Sequence, residues 1–255
     1  MQRAMPSHDR DVAEAFDGQA ARFERARVQS DPAALARLVA FAALPAGSLV
    51  LDAGCGPGLV AEAFLSAGHR VHGVDLSTEM VRRATARCAR FGDRATFLVG
   101  SAFDLPAGER YDAAVSRLVI HHVEAPAAFV RAQVERVRAG GVVVESDHAG
   151  DPDPAAAWWH QQIERARDRT HTRSLSPGEL LDLLARAGLQ DLRLEEEPFE
   201  LDFDEWFDRG TPALPKEAVR AMLLAGTARG FRPEARPGGH VAIFNVRTTV
   251  RGVKR

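Results

Sequence analysis

Cysteine is almost missing from this chain: Cys55 and Cys88 are the only two in 255 residues. That excludes a disulfide scaffold and a four-thiolate metal site, and it suits a reducing compartment. Lysine is equally scarce, because arginine supplies all but Lys216 and Lys254 of the 33 basic residues. No apolar run approaches the ~20 residues of a bilayer-spanning helix, so no membrane segment is expected. Neither sign of charge dominates, with 33 basic against 35 acidic residues and a formal charge of -2. A general pull toward nucleic acid or anionic lipid is therefore not expected. The opening MQRAMPSHDRDVAEAFDGQ lacks the apolar stretch of a signal peptide and carries acids that a transit peptide avoids. A cytoplasmic location is the expectation.

What is present is the balance of a globular chain, 45% hydrophobic and 27% charged. Its length suits one large domain or a core with added elements. From Ser48 onward, short apolar runs alternate with helix-length segments, the pattern of a parallel sheet wrapped by helices. SLVLDAG, HRVHGVDL, ATFLVG, YDAAVSRLV and GGVVVESD read as five strands, LQDLRLEEEPFEL as a sixth and HVAIFNVRT as a seventh. Ser77 is placed to cap TEMVRRATARCARFG, whose Met80, Val81, Ala84 and Cys88 share one helical face. In SPGELLDLLARAG, Ser176, Pro177 and Glu179 form the signature of a capping box. Asp31 and Pro32 open the second of two helical patterns before the first strand. DPDPAAAWWHQQIERARDRTHTRS reads as an insertion over the sheet, and PKEAVRAMLLAGTARG as a further helix.

LDAGCGPG sets Asp52 at the end of the first strand and Gly54, Gly56 and Gly58 in the turn that follows. Glycine there removes side chains and permits positive φ, so backbone can touch a ligand. One such turn is a weak sign alone. The next strand ends at Asp75, 21 residues after Gly54, where a carboxylate can accept both hydroxyl protons of a ribose. Together they outline a nucleoside site at the carboxyl edge of a parallel sheet. A dinucleotide loop would want glycine at position 59, where this chain has Leu59.

With D-x-G-C-G-x-G standing at 52–58, the sequence resembles the class I S-adenosylmethionine-dependent methyltransferases over roughly residues 12–190. It is most similar to the ubiquinone/menaquinone-type group of small-molecule methyltransferases. The resemblance implies S-adenosyl-L-methionine as cofactor, with Gly54, Gly56 and Gly58 around its methionine part and Asp75 on the ribose. Leu76 and Met80 would lie beside adenine, and Ala102 would offer it a backbone amide. Ser101 stands where the family usually has an aspartate for the adenine amino group, and Phe103 could stack there or belong to the core. Asp52 would order the loop and favour the cationic end of the cofactor. Arg117 and Leu118 would lie along the methionine. In FDGQAARFERAR, the resemblance makes Phe16, Gln19 and Phe23 a lid, with Phe23 in place of a common tyrosine.

The resemblance also puts a proton-removing histidine just beyond the fourth strand, where His121 and His122 stand. An unperturbed pKa of about 6.5 suits imidazole to that task. His122 is the expected base, because adjacent side chains diverge and one of the two is free to pack. ESDHAG and RDRTHTRSLS add Asp147, His148, His171 and Arg173 as polar groups for the acceptor. Four histidines and an acid are also suitable metal ligands. No H-E-x-x-H, H-x-H or paired-cysteine spacing is present, so no metal is expected. Trp158, Trp159, Trp206 and Phe207 would either wall an acceptor pocket or pack a cap onto the core.

These readings imply an α/β, Rossmann-like, doubly wound sheet of seven strands, the last antiparallel, with helical cap insertions. Residues 1–43 would form lid helices, 44–150 the cofactor core, and 151–255 cap insertions and the final strands of a single domain. The expected activity is methyl transfer to a small-molecule acceptor, with neither nucleic acid nor membrane as partner. SRLV after the fourth strand, in place of an N-P-P-Y-like run, argues against a nucleic-acid methyltransferase. A fold relative catalysing cyclisation, or a dinucleotide oxidoreductase, are the alternatives.

Overall fold

The computed structural model describes residues 6–105 and 111–255. Helices α1 (Ser7–Arg25), α2 (Arg27–Ser30) and α3 (Pro32–Ala42) precede the first strand. The core then runs β1 (Leu49–Ala53), α4 (Leu59–Ser66), β2 (Arg70–Asp75), α5 (Thr78–Cys88), β3 (Ala95–Val99), β4 (Tyr111–Arg117), α6 (Pro126–Arg136) and β5 (Val137–His148). After it come α7 (Pro154–Arg167), α8 (Pro177–Arg186), β6 (Leu189–Asp202), α9 (Phe203–Asp208), α10 (Lys216–Leu224), β7 (Phe231–Ala235) and β8 (Val241–Lys254). No helix among the described residues is long and apolar enough to cross a membrane.

The capping chemistry legible in the sequence is present. Ser77 accepts the Met80 amide, Asp31 the Ala33 amide, and Ser176 and Glu179 form a reciprocal capping box. Seven strands follow the path β3-β2-β1-β4-β5-β8-β6, and β8 is antiparallel to both β5 and β6. The order reverses between β1 and β4, so the crevice at their carboxyl ends is where such a sheet accepts a ligand. Period-two alternation sends neighbouring β1 residues into opposite layers. Leu51 packs with Phe129, Leu180 and Leu184, whereas Val50 packs with Leu38, Phe64 and Leu65. Each such fully buried side chain contributes about 1.5–3 kcal/mol.

One reading at the carboxyl-terminal end is corrected. The helix expected through Gly230 ends at Leu224, and a short eighth strand, β7, follows it. Pairing of β5 with β8 stops at His148↔Arg247, and β7 takes over that edge from Asn245 to Val241. Pro233 is tolerated because β7 pairs only with β8.

The aromatics of the insertions form a cap core and not a pocket wall. Trp206 and Phe207 pack with Ile163, Phe203, Leu223 and Phe231, and the Trp159 indole N–H donates to the Met222 carbonyl. Trp158 is 66% exposed.

Candidate active site

Past β1 the chain doubles back so that the Gly54 and Cys55 amides both donate to the Val74 carbonyl. Gly56 has φ +51, and a Cβ there would meet no protein atom within 4 Å. That open space lets a ligand lie against bare backbone. Gly58 has φ +82, and a Cβ would stand 2.9 Å from the Ala84 Cα. Its glycine lets α4 start hard against α5. Asp75 accepts the Gly56 amide at 2.8 Å and the Ser77 amide at 2.9 Å, which ties loop and α5 to the end of β2. Each carboxylate oxygen keeps a second lone pair for a ligand hydroxyl. Burial raises the Asp75 pKa, against those amides, which lower it.

These groups surround one cleft of about 1030 Å³, a volume that includes its open mouth. Leu76, Met80, Ser101, Ala102 and Phe103 line it on the β2–β3 side, and Arg117, Leu118 and His122 on the β4 side. Helix α1 lies across it and contributes Phe16 and Phe23, whose rings meet edge to face 5.5 Å apart. At one end of α1, His8 Nε2 donates to the His122 carbonyl at 2.7 Å. At the other end, Glu24 pairs with Arg83 and Arg87 of α5.

Behind the loop, Asp52 is buried, and neither carboxylate oxygen meets a hydrogen-bond partner of normal geometry. Burial, reinforced by the charge of Asp75, pushes its pKa up to about 7. An orphaned acid behind a bare-backbone cradle suits a cationic ligand. Arg117 is buried as well, and its guanidinium donates to the Gln29 and Val28 carbonyls of α2. Burial, with Arg247 next to it, lowers its pKa to about 9.

At the β4 edge four imidazoles gather. His121 and His122 have ring centroids 4.1 Å apart, with His148 5.4 Å and His171 5.7 Å from His121. His121 Nδ1 meets Asp147 Oδ1 at 2.6 Å. Burial alone would lower the His121 pKa, but the Asp147 carboxylate outweighs it and raises the value. The other three stay neutral near pH 7, chiefly through burial: His122 is lowered to about 4, His148 to about 3, and His171 well below its ordinary value. Only His122 of the four lines the cleft; its ring meets Phe16 edge-on at 5.0 Å, and its Nδ1 lies 3.0 Å from Thr170 Oγ1. Among the described residues, three ligand atoms converge for a metal only at Asp202, Asp204 and His240, where Lys216 and Arg220 already pair with Asp204.

The methyltransferase domain family matches residues 24–194, more than half of the chain. The chain belongs to this family of S-adenosylmethionine-dependent methyltransferases. It is 33% identical over 153 residues to the ubiquinone biosynthesis O-methyltransferase of Xanthomonas axonopodis pv. citri, covering 57% of this chain and 64% of that protein. Such matches span about half to two thirds of the length of the curated relatives. The crystal structure of YcgJ from Bacillus subtilis superposes with a TM-score of 0.79 at 24% identity, covering 88% of this chain and 98% of that one. Geranyl diphosphate C-methyltransferase from Streptomyces coelicolor superposes at 0.67 and 17% identity over the full length of both chains.

In this methyltransferase the cleft gathers Gly54, Gly56, Asp75, Leu76, Met80, Ser101, Ala102, Phe103, Arg117, Phe23 and His122. Asp52 and Gly58 lie behind that wall. His121, Asp147 and His171 do not line it, so the expectation of several polar groups facing one cleft is corrected. Asp147 is spent on His121, His171 Nε2 meets Gln161 Oε1 at 2.6 Å, and exposed Arg173 pairs with Glu179. Gln19 is buried outside the cleft lining. Phe103, 38% exposed, sits on the rim and not in the core. Sequence reasoning missed Asp17, Asp168 and Thr170, although all three stand in segments it singled out, FDGQAARFERAR and RDRTHTRSLS.

Proposed function

We propose that this methyltransferase moves a methyl group from S-adenosylmethionine to a small-molecule acceptor, with His122 taking the acceptor's proton. The observation that supports it is the position of His122: a neutral imidazole lining the same cleft as Gly56, Asp75 and Met80. When bound, the cofactor supplies a methyl group on cationic sulfur, open to attack in line with the leaving sulfur. Asp75 and the Gly56 backbone hold and orient one end of the cleft, while Phe16 and Phe23 exclude water from above. His122 receives the acceptor's proton at a ring nitrogen that is unprotonated at neutral pH. The balanced net charge and the helix across the cleft favour a small acceptor over nucleic acid. The names of the ubiquinone biosynthesis and geranyl diphosphate enzymes point the same way.

The test is turnover of S-adenosylmethionine against a panel of small phenols, enols and amines, with the demethylated cofactor quantified. His122→Ala is expected to lower turnover about 10²- to 10⁴-fold, the range for losing a general base. Calorimetric affinity for S-adenosylhomocysteine should hardly change, and activity should survive chelation. Equal, small effects of His122→Ala and His121→Ala would remove His122 from the role. Loss of turnover on chelation would recast the histidines as metal ligands.

A further inference from the structure

Asp168 lies just past the end of α7, buried, and its Oδ1 gathers three donors. These are the Thr170 amide at 3.0 Å, the Thr170 hydroxyl at 2.7 Å and the Thr211 hydroxyl at 3.0 Å. Burial would raise the Asp168 pKa, but the charge of Arg167 and the hydrogen bonds from Thr170 outweigh it and lower the value, so the carboxylate is ionised and only accepts. A threonine hydroxyl has one proton, and here it goes to Asp168. Thr170 Oγ1 therefore turns lone pairs toward His122 Nδ1, 3.0 Å away. The Thr170 carbonyl, 3.2 Å from the same nitrogen, also only accepts. Two acceptors facing Nδ1 require a proton on it, because a bare nitrogen would oppose its lone pair to theirs. The neutral ring has one N–H, so Nε2 is left unprotonated.

We infer that Asp168 and Thr170 are positioning residues that fix His122 as its Nδ1–H tautomer and so keep the Nε2 lone pair available to the acceptor. This rests on the reading of His122 as the base. Neither residue touches the cleft; both act through the ring. The logic is that of a hydroxyl relay: the carboxylate orients the hydroxyl, and the hydroxyl orients the imidazole. The other charged or titratable groups near His122 are His121 and Asp147 at the strand edge, His171 beyond His121, His8 on its carbonyl, and Asp9 on the cleft wall. None of the side-chain hydrogen bonds of these groups reaches His122 Nδ1, so the tautomer is set by Thr170 and Asp168.

Long-range nitrogen–proton NMR of the ¹⁵N-labelled free protein at pH 7, with His122→Gln for assignment, reads the tautomer without any turnover. The wild type should show the proton on Nδ1. Asp168→Ala frees the Thr170 hydroxyl to donate to Nδ1. It should raise the Nε2–H fraction and lower kcat roughly 10- to 10²-fold, with the KM for cofactor unchanged. Asp168→Asn keeps an acceptor oxygen and should keep the tautomer, while losing the charge that raises the His122 pKa. Its acid limb should therefore move to lower pH. Thr170→Ser should restore both tautomer and pH profile. Because Asp168 also ties two loops together, Thr170→Val is the second variant. It leaves the carboxylate in place, and its Nε2–H fraction should lie between those of wild type and Asp168→Ala. A wild-type proton on Nε2 would overturn the inference, as would folded Asp168→Ala or Thr170→Val variants with the wild-type tautomer. Full turnover in His122→Ala would instead overturn the base assignment and leave the tautomer result standing.

Discussion

Ser77 Oγ donates to Asp17 Oδ1 at 2.6 Å, joining the helix that lies across the cleft to the cap of the helix that follows β2. The same aspartate oxygen accepts the Glu79 amide at 3.0 Å, while Ser77 Oγ itself accepts the Met80 amide. These two residues thus satisfy two of the orphan amides at the start of α5, and an acidic side chain sits where the helix dipole favours it. Asp17 comes from 60 residues upstream, so α1 and the Asp75 end of the cleft share one hydrogen-bond set.

Asp17→Ala should release α1 at this end. Losing a charged cap costs about 1–2 kcal/mol. The expected outcome is faster hydrogen exchange over residues 12–25 and several-fold weaker binding of S-adenosylhomocysteine. In the wild type, the same segment should slow on adding that ligand. Exchange indifferent to both substitution and ligand would remove α1 from the role of lid.

The parallel core was legible because its strands are continuous apolar runs and its helices carry their own start signals; Ser77, Asp31 and Ser176 each cap the helix they were expected to open. Local chemistry also marked Gly56 and Asp75, since a bare turn and a strand-end carboxylate are sequence-local features. What sequence could not give were relations across long separations. The Asp17–Ser77 bond and the Asp168–Thr170–His122 chain join residues 60 and 48 positions apart. Pairing of β7 depends on where β5 leaves β8, which no local pattern records. For Trp159, Trp206 and Phe207 the sequence left pocket wall and cap packing both open, and the cap is where they pack: a large ring near an insertion packs wherever apolar surface is offered.

Asp75→Ala separates two consequences of one carboxylate. Loss of its bonds to the Gly56 and Ser77 amides should lower the thermal stability of the free protein. Loss of the ribose partner should weaken S-adenosylhomocysteine binding by about 1.5–3 kcal/mol, the worth of a charge-assisted hydrogen bond. Calorimetry and a melting curve read them independently. Unchanged affinity with a lowered melting temperature would leave Asp75 a loop anchor alone.

Gly56 and Gly58 should respond oppositely to alanine. At 58, φ +82 combines with a Cβ 2.9 Å from the Ala84 backbone, so Gly58→Ala should destabilise by roughly 1–3 kcal/mol. At 56 the space is open of protein, so Gly56→Ala should cost less stability and instead fill the ligand's place. Denaturant titration beside calorimetry tests the contrast, and two variants with the same profile would refute the division of labour.

Asp52 is expected to link cofactor charge to pH. Its folded pKa of about 7 lies above the ordinary aspartate value of 3.8. Between those values the native state holds a proton that the unfolded chain has shed. Stability from this group is therefore present at low pH and falls as pH rises, by about 1.4 kcal/mol per pH unit, levelling above 7. Asp52→Asn removes that slope, so the variant should be more stable than wild type at pH 8 and lose its advantage on acidification toward pH 4. Binding adds a second arm. A sulfonium favours the ionised carboxylate, so S-adenosylmethionine should expel the Asp52 proton below pH 7 and bind more tightly as pH rises toward that value. S-adenosylhomocysteine, with a neutral thioether, should show little of this. Calorimetry at pH 5.5 and 8, in buffers of different ionisation enthalpy, counts the released proton directly. Asp52→Asn should flatten the pH dependence for S-adenosylmethionine and narrow its preference over the product. If the preference and its pH dependence persist in the variant, the charge is sensed elsewhere, and Asp52 only orders the loop.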